Sequence, residues 1–261
     1  MAEIHIPTLA PEVLAHVGPV AITNTMVNTW LALVIFAVLG VIITRQASLR
    51  PGKLQNGAEY ILEQLLGYFD QVTGDPAKTR RFLPLVGSIF FFILLSNWLG
   101  LLPGTGSLSY GHSFVLRPAN TDLNLTLAMA LTSVAASHLF GFITVGFFSH
   151  AGKFFQIKGI FRSLTKGPVA IFTAVIEFMV GLIEIVSEAA KVLSLSLRLF
   201  GNIFAGEVLI SVISALVTAL VPTPFMLLEL LVGLIQASVF AMLTLVYLTV
   251  ASEAPHGSEE H

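Results

Sequence analysis

The chain has 261 residues, 55% of them hydrophobic and only 11% charged, with a net charge of −2 and no cysteine. A soluble domain carries about a quarter charged residues, so this composition excludes one, and the mean hydropathy of +0.87 points to several long apolar stretches. The near-zero net charge gives no basis for a nucleic-acid or acidic partner, and the lack of cysteine excludes disulfides, thiolate metal sites and cysteine nucleophiles.

Residues 1–13 have neither the basic start nor the small-residue cleavage site of a signal peptide, and they are not the arginine- and serine-rich kind of transit peptide, so the first apolar run is expected to stay as a helix. No charge lies between Glu12 and Arg45, and residues 24–44 read as a spanning helix with Trp30 near its outer end, where an aromatic belt residue sits. Over residues 54–73, Ala58, Ile61, Leu62, Leu65, Leu66, Phe69 and Val72 recur at helical spacing opposite Glu59, Glu63 and Asp70. That pattern is too polar to span and predicts a helix lying on the membrane surface. Lys78, Arg80 and Arg81 close this segment.

A second membrane run covers 83–102 and stops at Pro103-Gly104. A third covers 119–148, with Asn120, Thr121 and Asp122 as N-capping side chains. A basic loop with Lys153, Lys158, Arg162 and Lys166 leads to a fourth run, 168–221, which starts on Pro168 and contains no further proline and only three glycines. Pro222-Thr223-Pro224 forces a turn into the last run, 225–250. The loops at 45–81 and 153–166 hold ten of the thirteen lysines and arginines. The positive-inside rule therefore puts the N-terminus outside and the C-terminus in the cytoplasm, which requires an odd number of crossings, and five runs satisfy it. The fourth run, at about 1.5 Å per residue, would be roughly 80 Å long against a hydrocarbon core of about 30 Å. A single helix of that length has to lie very obliquely, beside something broad that needs a long contact line. The fold class is thus all-α integral membrane in one domain: five membrane-embedded helices plus one amphipathic surface helix, the last two forming a long, strongly tilted hairpin.

The last two runs carry Glu177, Glu184, Glu188, Lys191, Arg198, Glu207 and Glu229. Seven unpaired ions would cost about 20 kcal/mol on insertion scales, so they must be paired, hydrated or neutralised by protons, and by default they mark an ion pathway. Steps of 7, 4, 3, 7 and 4 place Glu177, Glu184, Glu188, Lys191, Arg198 and Asn202 within an arc of roughly 80° on one helix face. Glu207 falls on the opposite face, directed toward Glu229 and Gln236 of the next helix. Two polar tracks meet at Arg198, which stays protonated and so cannot relay protons; it can only act as a fixed charge that blocks leakage and attracts a carboxylate. Plainer roles compete for several of these residues. Glu188 and Lys191 can neutralise each other as an i,i+3 pair, Glu177 can be interfacial, His138 a hydrogen-bonded packing residue, and Asn97 and Asp122 can serve helix ends or helix contacts. Arg198 has no acidic neighbour at i±3 or i±4, so no intrahelical pair accounts for it.

Residues 194–207, Ser-Leu-Ser-Leu-Arg-Leu-Phe-Gly-Asn-Ile-Phe-Ala-Gly-Glu, closely resemble subunit a of F-type ATP synthases, as do residues 235–248 from Ile235-Gln236 to Leu248, residues 117–126 from Arg117-Pro118 to Thr126, and residues 97–103 from Asn97-Trp98 to Pro103. The resemblance covers nearly the whole chain from about residue 25. It implies a stator forming two offset aqueous half-channels against a rotating ring of c subunits, with peripheral-stalk b subunits and the rest of the complex as further partners, no ATP site of its own, and no cofactor or metal. Arg198 matches the essential arginine that faces the ring carboxylate. Asn202, Glu207 and Gln236 match polar residues of the half-channel away from the catalytic head, Glu184 matches the acidic residue of the cytoplasmic one, Glu188 lies beside it, and Lys191 has a family counterpart. The family commonly pairs the position of Glu207 with a histidine on the last helix, or exchanges the two; here the match is Glu229, so the resemblance implies two carboxylates able to share a proton and titrate as a coupled pair. A second carboxylate would also suit sodium, and because ion choice in this family is set mainly by the ring, the sequence leaves the ion open. The polar tail and the N-terminal segment look bacterial, implying the plasma (inner) membrane. An ion-coupled secondary transporter using the same buried charges is the alternative, but it would show inverted repeats and broken helices. A structural subunit of another respiratory assembly, the third reading, would make Arg198 dispensable.

Overall fold

The computed structural model describes residues 8–45, 48, 52–102, 109–110, 113–114, 116–146, 168–216 and 221–252. The basic loop at 153–166 lies outside them, as does the side chain of Glu177. Among the described residues six α-helices dominate: α1 (Asn24–Arg45), α2 (Lys53–Thr73), α3 (Pro76–Gly100), α4 (Leu123–Val145), α5 (Pro168–Leu216) and α6 (Pro222–Ser252). Five of them, all but α2, are long and apolar enough to cross a hydrocarbon core. The chain is an all-helical integral membrane protein.

Two short hairpins were not expected. β1 (Val13–Val17) pairs antiparallel with β2 (Val20–Thr23), Val17 opposite Val20, and the two-residue turn opens on Gly18 at φ +61, where a side chain would be strained. β3 (Ser109–Tyr110) and β4 (Ser113–Phe114) form the second hairpin. The amide of Asn24 donates to the carbonyl of Glu12, running β2 directly into α1. On α1 only Asn24, Thr25, Asn28 and Ala32 are buried, at helical spacing on one face. Leu31, Leu33, Val34, Val38, Leu39 and Val41 are left bare, a face suited to lipid.

The carboxylate of Asp75 accepts the amide of Ala77, and Pro76 fills the first turn of α3, where its missing N–H costs nothing. Lys78, Arg80 and Arg81 therefore form the opening turns of α3 instead of closing a separate segment, and the Arg81 guanidinium lies over the Phe140 ring of α4. Just before this cap, α2 ends on Gly74 in the left-handed region, whose amide donates to the Asp70 carbonyl. Leu65 and Phe69 of α2 are buried against the bundle, while Ile61 and Leu62 of the same apolar set stay exposed. Asp122 caps α4 through the amide of Asn124, following a 3₁₀ turn at Ala119–Thr121. Pro222 and Pro224 do not make the turn expected of them. They lie in the first turn of α6, where a fixed φ and an absent donor are both tolerated.

Helix α6 is the centre of the bundle and packs most extensively on α3 and α4, with α5 laid across α4 and α6. Its Ala237, Phe240, Ala241, Leu245 and Leu248 meet Val86, Phe90 and Ile93 of α3 and Leu195, Leu199 and Ile203 of α5 in one core. At Gly233 an added Cβ would press on Cβ of Asn97 at 3.1 Å, so α3 and α6 approach closely there. Helix α5 is unbroken over 49 residues. Its buried Leu195, Leu199 and Ile203 fix which side faces the bundle and leave the opposite side open.

Candidate functional site

Helix α5 carries the site, and its polar residues fall into two clusters with Arg198 between them. The first cluster lies at the end of the bundle where α1, α4 and α6 begin. Arg117, 5% exposed just ahead of the 3₁₀ turn, forks onto Glu207: Nε donates to Oε1 at 2.9 Å and to Oε2 at 3.1 Å, and an Nη donates to Oε2 at 3.0 Å. The same guanidinium donates to the carbonyls of Thr8 and Ala10, at 2.8 and 3.2 Å, and stands over the Phe204 ring. Its own carbonyl accepts from Asn28 Nδ2 of α1. Charge-assisted fork bonds of this kind are shorter and stronger than neutral ones.

Glu229 of α6 is buried and sits directly on Gly206, where a Cβ would overlap its carboxyl group; among the described residues no donor reaches its Oε1. Beside it, Asn97 Nδ2 donates to the carbonyl of Gly233 at 3.2 Å, Asn97 Oδ1 accepts from Asn120 Nδ2 at 2.6 Å, and the indole of Trp98 donates to the carbonyl of Leu230. These bonds fix α6 against α3 and the 3₁₀ turn around Glu229. Gln236, seven residues further along α6 and so on the same side of it, is half-buried.

The second cluster links three helices. Glu188 Oε1 accepts from Lys191 Nζ at 2.6 Å, its Oε2 lies 3.3 Å from His138 Nε2 of α4, and the Lys191 ammonium stands over the Tyr247 ring of α6. Glu184, one turn earlier, is half-buried. Glu188 and Lys191 do neutralise each other, and His138 is engaged in a polar contact.

Arg198 differs from both clusters. It is exposed, its Nη donates to Ser194 Oγ at 3.3 Å, and among the described residues no carboxylate lies within salt-bridge distance. Asn202, one turn on, is exposed on the same side. The rise of a helix puts Lys191 about 10 Å to one side of Arg198 and Glu207 about 14 Å to the other. Along the polar stripe expected on α5 the cover changes: Glu188 and Lys191 are partly covered through contacts with α4 and α6, whereas Arg198 and Asn202 are exposed.

Sequence reasoning overlooked Arg117, although it is the lone cation of the loops otherwise free of positive charge and sits in one of the runs that carry the resemblance. It directed Glu207 toward Glu229 and Gln236; the structure gives Glu207 to Arg117. Tyr247 had no signal beyond its place in a run that carries the resemblance, and Asn120, expected as an N-capping side chain, donates to Asn97 while Asp122 makes the cap. Among the described residues no group of three or more His, Asp or Glu side chains is gathered as a metal site would require.

The family model for the ATP synthase A chain matches residues 26–249. The chain is 34% identical over 238 residues to ATP synthase subunit a of Moorella thermoacetica, covering 91% of this chain and 94% of that one. It is 34% identical over 247 residues to ATP synthase subunit a of Gloeobacter violaceus (94% and 89% covered) and 35% identical over 238 residues to that of Mycobacterium ulcerans (88% and 87% covered). With its five apolar helices and an arginine set between two polar clusters of the fifth helix, the chain belongs to the ATP synthase A chain family.

Proposed function

We propose that this chain is the stator subunit of a rotary ATP synthase that provides two proton half-channels separated by Arg198, coupling proton movement to rotation of the c ring. The observation that carries the reading is the isolation of Arg198: a permanent charge on the uncovered side of α5, with a polar cluster on either side along the same helix. Glu207, Glu229, Gln236 and Asn202 line the half-channel at the end where α1 begins. Glu184, Glu188 and Lys191 line the other. A ring carboxylate gains from passing Arg198 only when ionised, and must be neutral before it returns to lipid, because each charge at the membrane centre costs about 2.5–3.5 kcal/mol.

The long α5 supports the tilted arrangement. Its 49 residues extend about 74 Å, so it fits a membrane only obliquely, with α6, along the curved side of the ring. Helix α2 lies on the cytoplasmic surface, the N-terminus is outside, and the c ring, peripheral-stalk b subunits and catalytic head complete the assembly in a bacterial plasma membrane. No ATP chemistry occurs on this chain. The test is ATP-driven acidification of inverted vesicles containing the assembled complex, wild type against Arg198→Ala. Loss of pumping with the complex intact is expected. Full pumping by the variant overturns the reading.

A further inference from the structure

Two carboxylates stand at the same end of the bundle, Glu207 on α5 and Glu229 on α6, yet their surroundings are opposite in kind. Glu207 receives three guanidinium N–H contacts from Arg117, one to Oε1 and two to Oε2. Arg117 cannot retreat into solvent to follow a change at Glu207: it is 5% exposed, and two further N–H groups donate to the carbonyls of Thr8 and Ala10. Neutralising Glu207 would strand a cation in that place, and breaking one side of a buried pair is strongly unfavourable. Glu229 has the reverse problem. It is 8% exposed, packs on the backbone of Gly206, and among the described residues has no donor at Oε1 and no cation in salt-bridge reach. A charged carboxylate there lacks compensation, whereas the acid form needs only one acceptor.

We infer that the two carboxylates do different work: Arg117 is a positioning residue that keeps Glu207 a fixed anion, and Glu229 alone takes up and releases the proton on this side of the bundle. This deepens the proposed function and rests on it. A proton arriving through water adds to a carboxylate oxygen of Glu229, which becomes neutral. On transfer, that proton passes to an ionised ring carboxylate, and Glu229 regains its charge. Glu207 and Arg117 keep theirs throughout, so the pair stays neutral overall while one group cycles. The pair would not share a proton, as two free carboxylates would, because one of them is held by a cation.

A lipophilic carbodiimide reports this directly, since it forms its adduct only with a protonated carboxyl group. Applied to membranes holding the wild-type complex and followed by mass spectrometry of the chain, it should modify Glu229 in preference to Glu207 by roughly tenfold or more, given the strength of a buried pair. In Arg117→Gln, Glu207 loses its fork and should become reactive; in Arg117→Lys, which keeps the charge, it should stay protected. A residue that served packing alone would not separate these two variants by label. Adduct on Glu207 in the wild type, or none on Glu229 under conditions that modify the ring carboxyl, overturns the assignment, and the wild-type measurement decides even if a variant fails to assemble. Labelling is read without any pumping, so its failure is distinct from a failure of the Arg198→Ala test.

Discussion

Gly206→Ala separates stability from transport at a single position. In an exposed helix the change is favourable by about 1 kcal/mol, because alanine has the higher helix propensity. Here the new methyl would occupy the volume of the Glu229 carboxyl group. The obstruction is the far end of a flexible side chain and not backbone, so the helices need not separate: the carboxyl swings away, by on the order of 1 Å. A displacement of that size near reacting groups lowers a rate by roughly 10²-fold, since proton transfer requires donor and acceptor at about 2.6–3.2 Å or one bridging water. The expected result is a complex assembled at wild-type level, with normal ATP hydrolysis by the detached catalytic head and ATP-driven acidification reduced between about 10- and 100-fold. Quantitative recovery of the complex on native gels and a quench assay on the same vesicles measure both. Wild-type pumping by an assembled Gly206→Ala complex would refute the argument that the carboxyl seated on Gly206 carries the proton.

Two further predictions concern the frame that holds the cluster. Asn97→Leu keeps the approximate volume but removes the bonds to the carbonyl of Gly233 and the amide of Asn120, both buried; the α6 carbonyl keeps its place in the helix ladder, so the loss falls mainly on the stranded amide. The destabilisation expected is about 2–4 kcal/mol, seen as a lower midpoint for thermal disassembly of the solubilised complex, and an unchanged midpoint would contradict it. Asp122→Ala removes the cap on Asn124 and the acceptor for Thr25 Oγ1 of α1, for about 2 kcal/mol, measured as reduced complex in membranes; Asp122→Asn, which still accepts at the cap, should recover most of it.

The architecture was legible because membrane helices declare themselves in one dimension. The run without charge between Glu12 and Arg45, and the amphipathic repeat through Leu65 and Phe69, each satisfy a local rule that needs no knowledge of neighbours. The hairpin at Val13–Thr23 escaped because its strands show no clear alternation: Val13 and Val17 are exposed even though apolar. At the site, the residue types and the helix carrying them were legible, but their partners were not. Helical arithmetic correctly separated Glu207 from the face of Arg198. It could not say that Arg117, ninety positions away, would be delivered to Glu207 by the 3₁₀ turn and its bond to Asn28, because that contact depends on how three other helices pack. His138 against Glu188 is illegible for the same reason: each residue has an adequate local explanation, and only the packing of α4 on α5 joins them.

The contrast among the cations explains why the site is divided as it is. Arg117 has Glu207 and Lys191 has Glu188, so each is neutralised within the chain. Arg198 has a hydroxyl and nothing anionic among the described residues, on a side of α5 where Leu193, Leu197 and Leu209 are also bare. In lipid that charge would be unfavourable, so on the proposed reading the partner that covers this face supplies the missing carboxylate. A carboxylate that binds Arg198 tightly would also stop there, because arginine cannot release a proton to free it. On the same reading, the group that protonates it therefore stands apart from the arginine. On that reading Glu229, over Gly206 and about 12 Å along α5 from Arg198, is the group that does so, and Glu207, held as an anion by Arg117, does not compete for its proton.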